Sequence, residues 1–300
     1  MTHPSQTDRI AGCLLAGALG DAIGAYFEGG SSASGFSIPA DLRITDDTQL
    51  TIATCESIIE SGLVSPESVA NHFVSWFRER RITGIGSSTL KSFTELDAGG
   101  HWALVGATGE YSAGNGAAMR IAPLAFLLDP DSDTDRQTIR DICRITHRND
   151  EAYIGALAVV RSIRHVTCGN QLDIGLLSML VDTIPDSRVR DRLMDVRGGL
   201  SVPDYAMRFA SSGYVVDSVP LAILAATQST DVLSTIQQIV ECGGDTDTIA
   251  SMFGHVFGAA YGTERLPMKI VNQIDAVTLI RETAASLSRE TSRDITNGSY

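Results

Sequence analysis

The chain has 300 residues, of which 43% are hydrophobic and 20% charged, and its 23 basic and 36 acidic residues give a net charge of −13. Uniform negative charge repels phosphate backbones and anionic lipid, which excludes nucleic acid and membranes as expected partners. An anionic ligand must then be held locally, through backbone amides or a metal. Five scattered cysteines (Cys13, Cys55, Cys143, Cys168, Cys242) without a C-x-x-C pair argue against a disulfide framework and a structural zinc site. The opening MTHPSQTDR lacks the basic-then-apolar order of a signal peptide, so a cytoplasmic protein is expected.

Ile10 to Phe27 comes first. Asp21 and the interior glycines make this segment a tightly packed buried helix rather than a lipid-facing one. Asp21 and Glu28 stand seven apart, so on one helix they point the same way. Asp21 reads as a buried acid bonded to loop amides, and Glu28 as either an ordinary exposed acid or a carboxylate positioned in a cleft. Gly29 to Arg43, rich in small residues, and later Leu96 to Gly114 are the places for active-site loops.

Thr45-Asp46-Asp47-Thr48 then opens an apolar helix. Ser68 to Arg80 sets Val69, Phe73, Val74 and Phe77 on one helical face. Ser112 to Arg120 contains G-N-G ahead of an expected apolar helix. It reads as a plain turn or as a nest of amides for an anion, particularly a diphosphate. Thr146-His147 ends one helix before another, where a lone histidine packs, caps or binds. Glu151 to His165, Val219 to Thr227 and Val232 to Val240 are helical, and alternating strand patterns are nearly absent.

The last motif is Glu241 to Gly254, ECGGDTDTIASMFG. Two positions turn a helix by roughly 200°, so Asp245 and Asp247 cannot share a face within it. At a helix start, with Gly243 and Gly244 allowing a sharp entry, Asp and Thr oxygens can converge beside free N–H groups. An N-cap alone would explain one such cluster. Two of them, about 200 residues apart, are hard to explain as caps alone. If the helices pack together, each carboxylate pair about 4 Å apart repels by roughly 4 kcal/mol at an effective dielectric near 20. No nearby Arg or Lys offsets that, and hard cations would. Oxygen ligands without His or Cys favour Mg²⁺ or Mn²⁺, and two ions suit the load.

The expected fold is all-α: a compact single domain over 1–300, with an ordered core at about 9–287 and flexible ends at about 1–8 and 288–300. GALGDAIGAYFE, TDDTQLT, GNGAAMRIAPL, ITH, SGYVVDSVPLAI and GGDTDTIASMFGHVFGAAYG, in this order, resemble the ADP-ribosylglycohydrolase family. The resemblance implies an orthogonal helical bundle with a central di-metal cleft holding two Mg²⁺ (or Mn²⁺). It implies cleavage of the glycosidic bond between ADP-ribose and a protein side chain, with an ADP-ribosylated protein as substrate and ADP-ribose as product.

By position it implies Thr45, Asp46, Asp47, Asp245, Asp247 and Thr248 as metal ligands, and Glu28, Asp46, Asp245 and Asp247 as catalytic. Ser112, Gly114, Asn115, Gly116, His147 and Tyr214 would bind substrate. An N-linked arginine is the expected acceptor. O-linked serine, O-acetyl-ADP-ribose, a non-catalytic ADP-ribose-binding protein and a di-metal phosphohydrolase are the alternatives. The chain departs from the family at Tyr26 (Pro in GDALGAP), Asn149-Asp150 (often His-Pro) and Gly84 (Asp in members acting on arginine). It also has Ala113 where some members have an aromatic, leaving Tyr111 or Tyr214 to stack on adenine.

Overall fold

Fifteen α-helices and one parallel pair of two-residue strands make up the computed structural model, which describes residues 4–29 and 36–297. The helices α1 (Gln6–Gly24), α2 (Asp46–Ser61), α3 (Pro66–Arg78), α4 (Ser87–Asp97) and α5 (Trp102–Val105) come first. Strands β1 (Ala107–Thr108) and β2 (His147–Arg148) pair on either side of α6 (Asp133–Arg144). There follow α7 (Asp150–Thr167), α8 (Gly175–Thr183), α9 (Arg188–Val196), α10 (Val202–Phe209) and α11 (Val215–Gln228). The chain closes with α12 (Val232–Cys242), α13 (Thr246–Tyr261), α14 (Met268–Val271) and α15 (Val277–Asn297).

Sequence punctuation sets many of these starts. Ser5, Thr45, Ser65, Ser132, Asn149, Ser187, Ser201 and Asp231 each accept a backbone N–H of the first turn through a side-chain oxygen. The run after G-N-G is a difference from expectation. It forms turns and a 3-10 helix, Ala122–Phe126, rather than an α-helix. Pro123 lacks the N–H that an α-helix would give to the Met119 carbonyl, and the Gly116 carbonyl is taken by the Arg120 side chain.

The centre of the molecule is the pair α1 and α13. From Gly12 to Gly24 every residue of α1 is buried, as befits a helix apolar on all sides. Gly12 and Gly20 on α1 face Gly258 and Ala250 on α13 so closely that a Cβ on either would collide with the opposite backbone. Gly254 and Gly258 meet α1 in the same way, so the helices touch main chain to main chain. Around this seam one hydrophobic cluster runs from Ile10 to Leu287.

Helical structure reaches further into the chain ends than the expected 9–287 core, from Gln6 and as far as Asn297. The Thr7 and Ser288 hydroxyls are 2.7 Å apart, and Thr291 is buried, which ties the two ends together. Residues 1–3 and 298–300, and residues 30–35 of the expected loop, lie outside the described residues. No helix among the described residues is long and apolar enough to cross a membrane.

Candidate active site

The last turn of α1 anchors both acidic helix openings. Asp21, fully buried, accepts hydrogen bonds from Thr45 N at 3.0 Å, Thr48 N at 3.2 Å and Thr45 Oγ1 at 2.7 Å, and so holds the start of α2. Three residues on, Gly24 O accepts from Thr246 Oγ1 at 2.8 Å and holds the start of α13. Gly244 enters that helix at φ +79, where a Cβ would strike the Ser211 carbonyl. The two motifs therefore open side by side.

Thr248 Oγ1 donates to Asp47 Oδ2 at 3.2 Å. Carboxylate oxygens of Asp21, Asp47 and Asp247 lie within 4.8 Å of one another, and so do those of Glu28, Asp245 and Asp247. Asp247 belongs to both groups. Burial, then the neighbouring acids, pushes Asp47 well above the usual carboxylate range, Asp46 up to about 7 and Asp247 up to about 9. Glu28, exposed at the rim, is raised by partial burial and by Asp245.

Among the described residues none of these acids has an Arg or Lys ion-pair partner. Asp47 Oδ1 and Thr48 Oγ1 are buried and, among the described residues, meet no partner at hydrogen-bond distance. Orphaned oxygens beside crowded carboxylates fit a hard divalent cation. The residues able to hold one are Asp47, Asp247, Asp245, Glu28 and Asp21.

Glu28, Asp46, Asp47, Asp245 and Asp247 line a cleft of about 590 Å³, and Asp21 lies behind it, fully buried. Gly114, Asn115, Gly116, Met119 and His147 form part of the rest, with Gly84 and the start of α4. Asn115 Nδ2 donates to Asp245 Oδ2 at 2.6 Å and binds the G-N-G loop to the acidic wall. The Asn115 N–H is spent on Gly213 O at 3.0 Å, so only its neighbours could serve the expected nest. His147 is 3% exposed, and burial followed by the charge of Arg120 lowers it to about 3. A hollow of about 620 Å³ beside Arg9 and Arg164, at the other end of α1, touches none of these acids.

Of the expected site residues, Glu28, Asp46, Asp47, Asp245, Asp247, Thr248, Gly114, Asn115, Gly116 and His147 line the cleft. Three do not. Thr45 turns its hydroxyl to Asp21, and Ser112 donates its own to Thr108 O at 2.7 Å. Tyr214 lines an adjoining hollow with Tyr111, its hydroxyl 3.2 Å from Arg188 Nη1. Glu28 is not on the helix of Asp21, because α1 ends at Gly24. Asp21 bonds loop amides as expected, yet its place within reach of Asp47 and Asp247 was not foreseen. Its signal was an acid in a stretch, residues 10–24, otherwise composed of small and apolar residues.

The two distant acidic helix openings of this all-helical chain share one oxygen-lined cleft, and its carboxylates could hold a divalent cation between helix N-termini. The particular family follows from comparison. The ADP-ribosylglycohydrolase family model matches residues 2–296, and the chain belongs to that family. It is 26% identical to the ADP-ribosyl-[dinitrogen reductase] glycohydrolase of Rhodospirillum rubrum, over 92% of this chain and 93% of that one. It is also 26% identical to the ADP-ribosylarginine hydrolase Tri1 of Pseudomonas putida GB-1, over 91% of this chain and 76% of that one. A solved ADP-ribosylglycohydrolase-related protein complex shares the fold at TM-score 0.78 and 24% identity, covering 95% of this chain and 99% of that one.

Proposed function

We propose that this chain, acting as one domain, removes ADP-ribose from arginine side chains of modified proteins by hydrolysing the N-glycosidic bond. The observation that carries the reading is the convergence of Asp46–Asp47 and Asp245–Asp247 on the cleft that Asn115 and His147 line. Bound at these oxygens, two Mg²⁺ or Mn²⁺ ions would supply charge that orients ribose hydroxyls and makes a water more acidic. Asp47 and Asp247, with Asp46, Asp245 and Thr248 beside them, would hold the cations.

Gly114 to Gly116 and His147 hold the diphosphate and ribose, so that the anomeric carbon faces the acids. The Glu28 carboxylate, at the rim and within 4.8 Å of Asp245 and Asp247, accepts the proton of the attacking water and returns it to the leaving guanidine nitrogen. Water oxygen bonds to the anomeric carbon as the carbon–nitrogen bond breaks, leaving restored arginine and free ADP-ribose.

The acidic rim favours a cationic acceptor. The name of the Pseudomonas relative, an ADP-ribosylarginine hydrolase, supports the same acceptor. An O-linked serine is the second reading, because Gly84 leaves the wall beside Asp46 without a further carboxylate. Release of ADP-ribose from arginine-linked and serine-linked peptides, with and without Mg²⁺ or Mn²⁺, decides. Faster release from arginine is expected. Serine release alone would move the acceptor, AMP as product would indicate pyrophosphate cleavage, and binding without product would indicate a reader of ADP-ribose.

A further inference from the structure

We infer that Arg120 and Thr146 fix His147 as its Nε2–H tautomer, so that the ring presents a hydrogen-bond donor to an oxygen of the bound ligand. Arg120 is fully buried, and its guanidinium donates to the Gly116 carbonyl and, at 2.6 Å, to Thr146 Oγ1. A guanidinium carries donors only, so the threonine oxygen is the acceptor in that bond. The hydroxyl has one hydrogen left to place. His147 Nδ1 lies 2.8 Å away, and no other acceptor meets Thr146 Oγ1 among the described residues.

With Nδ1–H instead, Thr146 Oγ1 would accept twice and its own hydrogen would be stranded at a site with 0% exposure. The hydroxyl therefore donates, Nδ1 accepts, and the ring proton resides on Nε2. Burial and the charge of Arg120 both disfavour imidazolium, so the ring is neutral at pH 7.

Nε2 has no partner among the described residues, although the side chain is only 3% exposed. The flanking glycines leave that edge open to the cleft: a Cβ at Gly114 would lie 3.1 Å from Nε2, and one at Gly116 2.9 Å from Cε1. Through one guanidinium, Arg120 sets both the G-N-G carbonyl and the tautomer of the histidine beside it. Arg120 and Thr146 are thus positioning residues. His147 is the contact, and an acceptor-only oxygen, such as a phosphate oxygen, suits it best.

The identity of that oxygen rests on the ADP-ribose reading, but the tautomer does not. Nitrogen-15 NMR of the full chain tests it, with the His147 signal assigned by its absence in His147→Gln. The wild type and Thr146→Ser are expected to carry the proton on Nε2 at pH 7, and Thr146→Val to lose that preference. By calorimetry, ADP-ribose should bind Thr146→Val about tenfold more weakly, the worth of about one hydrogen bond. Thr146→Ser should stay within about twofold of wild type. A proton on Nδ1 in the wild type overturns the inference, as does unchanged affinity in folded Thr146→Val. A wild type that ignores ADP-ribose yet holds the proton on Nε2 would sink the substrate reading and leave the tautomer standing.

Discussion

Thr248 Oγ1 reaches Asp47 Oδ2 at 3.2 Å across 201 residues of sequence. That contact joins α2 and α13 at the point where their acids crowd, and Asp247 is the carboxylate common to both groups of ligand oxygens. Asp247→Asn keeps the shape and removes one negative charge from each group. Release of ADP-ribose should fall by more than about 100-fold, beyond what a change outside the coordination set costs. Full activity in that variant would break the assignment.

The crowded acids make the metal-free protein sensitive to cations. Mg²⁺ or Mn²⁺ at about 100 times its dissociation constant should raise the melting temperature by about 5–10 °C. Asp247→Asn should abolish most of that rise. Differential scanning calorimetry with and without the ions measures both.

The same acids set the pH dependence of the metal-free form. Asp46 at about 7 and Asp247 at about 9 lie above the usual carboxylate value of 3.8, so folding takes up protons there. Stability is present at low pH and is lost as pH rises through those values. The melting temperature of the chelated protein should therefore fall between pH 7 and 9. Asp247→Asn should flatten the fall, and an unchanged slope in that variant would count against it.

Two buried histidines act in the opposite direction. Burial lowers His147 to about 3 and His255 to about 4, against an ordinary 6.5. Both stay neutral in the fold while the unfolded chain takes up protons, so their contribution is lost as pH falls from 6.5 towards 4. His255→Gln should soften that acid limb in a pH series of denaturant midpoints.

The seam between α1 and α13 gives a packing test. A methyl at Gly258 would meet the Gly12 carbonyl and its own peptide carbon, both main chain. Gly258→Ala should cost about 1–3 kcal/mol as the helices are forced apart, with a drop of about 2–4 °C per kcal/mol. It should also weaken cation binding, although the residue lies far along α13 from Asp247. Unaltered cation affinity in a destabilised variant would separate the two effects.

Much of this was legible in the chain. Acid-hydroxyl clusters ahead of apolar runs announced α2 and α13, because capping chemistry and ligand chemistry use the same oxygens at a helix start. The fate of individual hydroxyls was not legible. Thr45 and Thr48 belong to one motif, yet Thr45 Oγ1 bonds Asp21 at 2.7 Å while Thr48 Oγ1 meets no partner at that range among the described residues. Which oxygen is spent depends on a third helix 24 residues earlier, and local spacing cannot encode that. The joint role of Arg120 and Thr146 was hidden for a similar reason. An arginine in an apolar run reads as a break in pattern until the carbonyl and hydroxyl it joins are seen together.

Glycine at the α1–α13 contact has a consequence beyond packing. Where side chains separate two helices, mutation can adjust the gap by a methylene at a time. Here the spacer is the polypeptide's own van der Waals radius, which no substitution can shrink. The distance from α13 to α1, whose Asp21 holds the opening of α2, is thereby gauged by main-chain contact rather than by side-chain size, and neighbouring regions of the chain can drift without detuning the bite of the carboxylates.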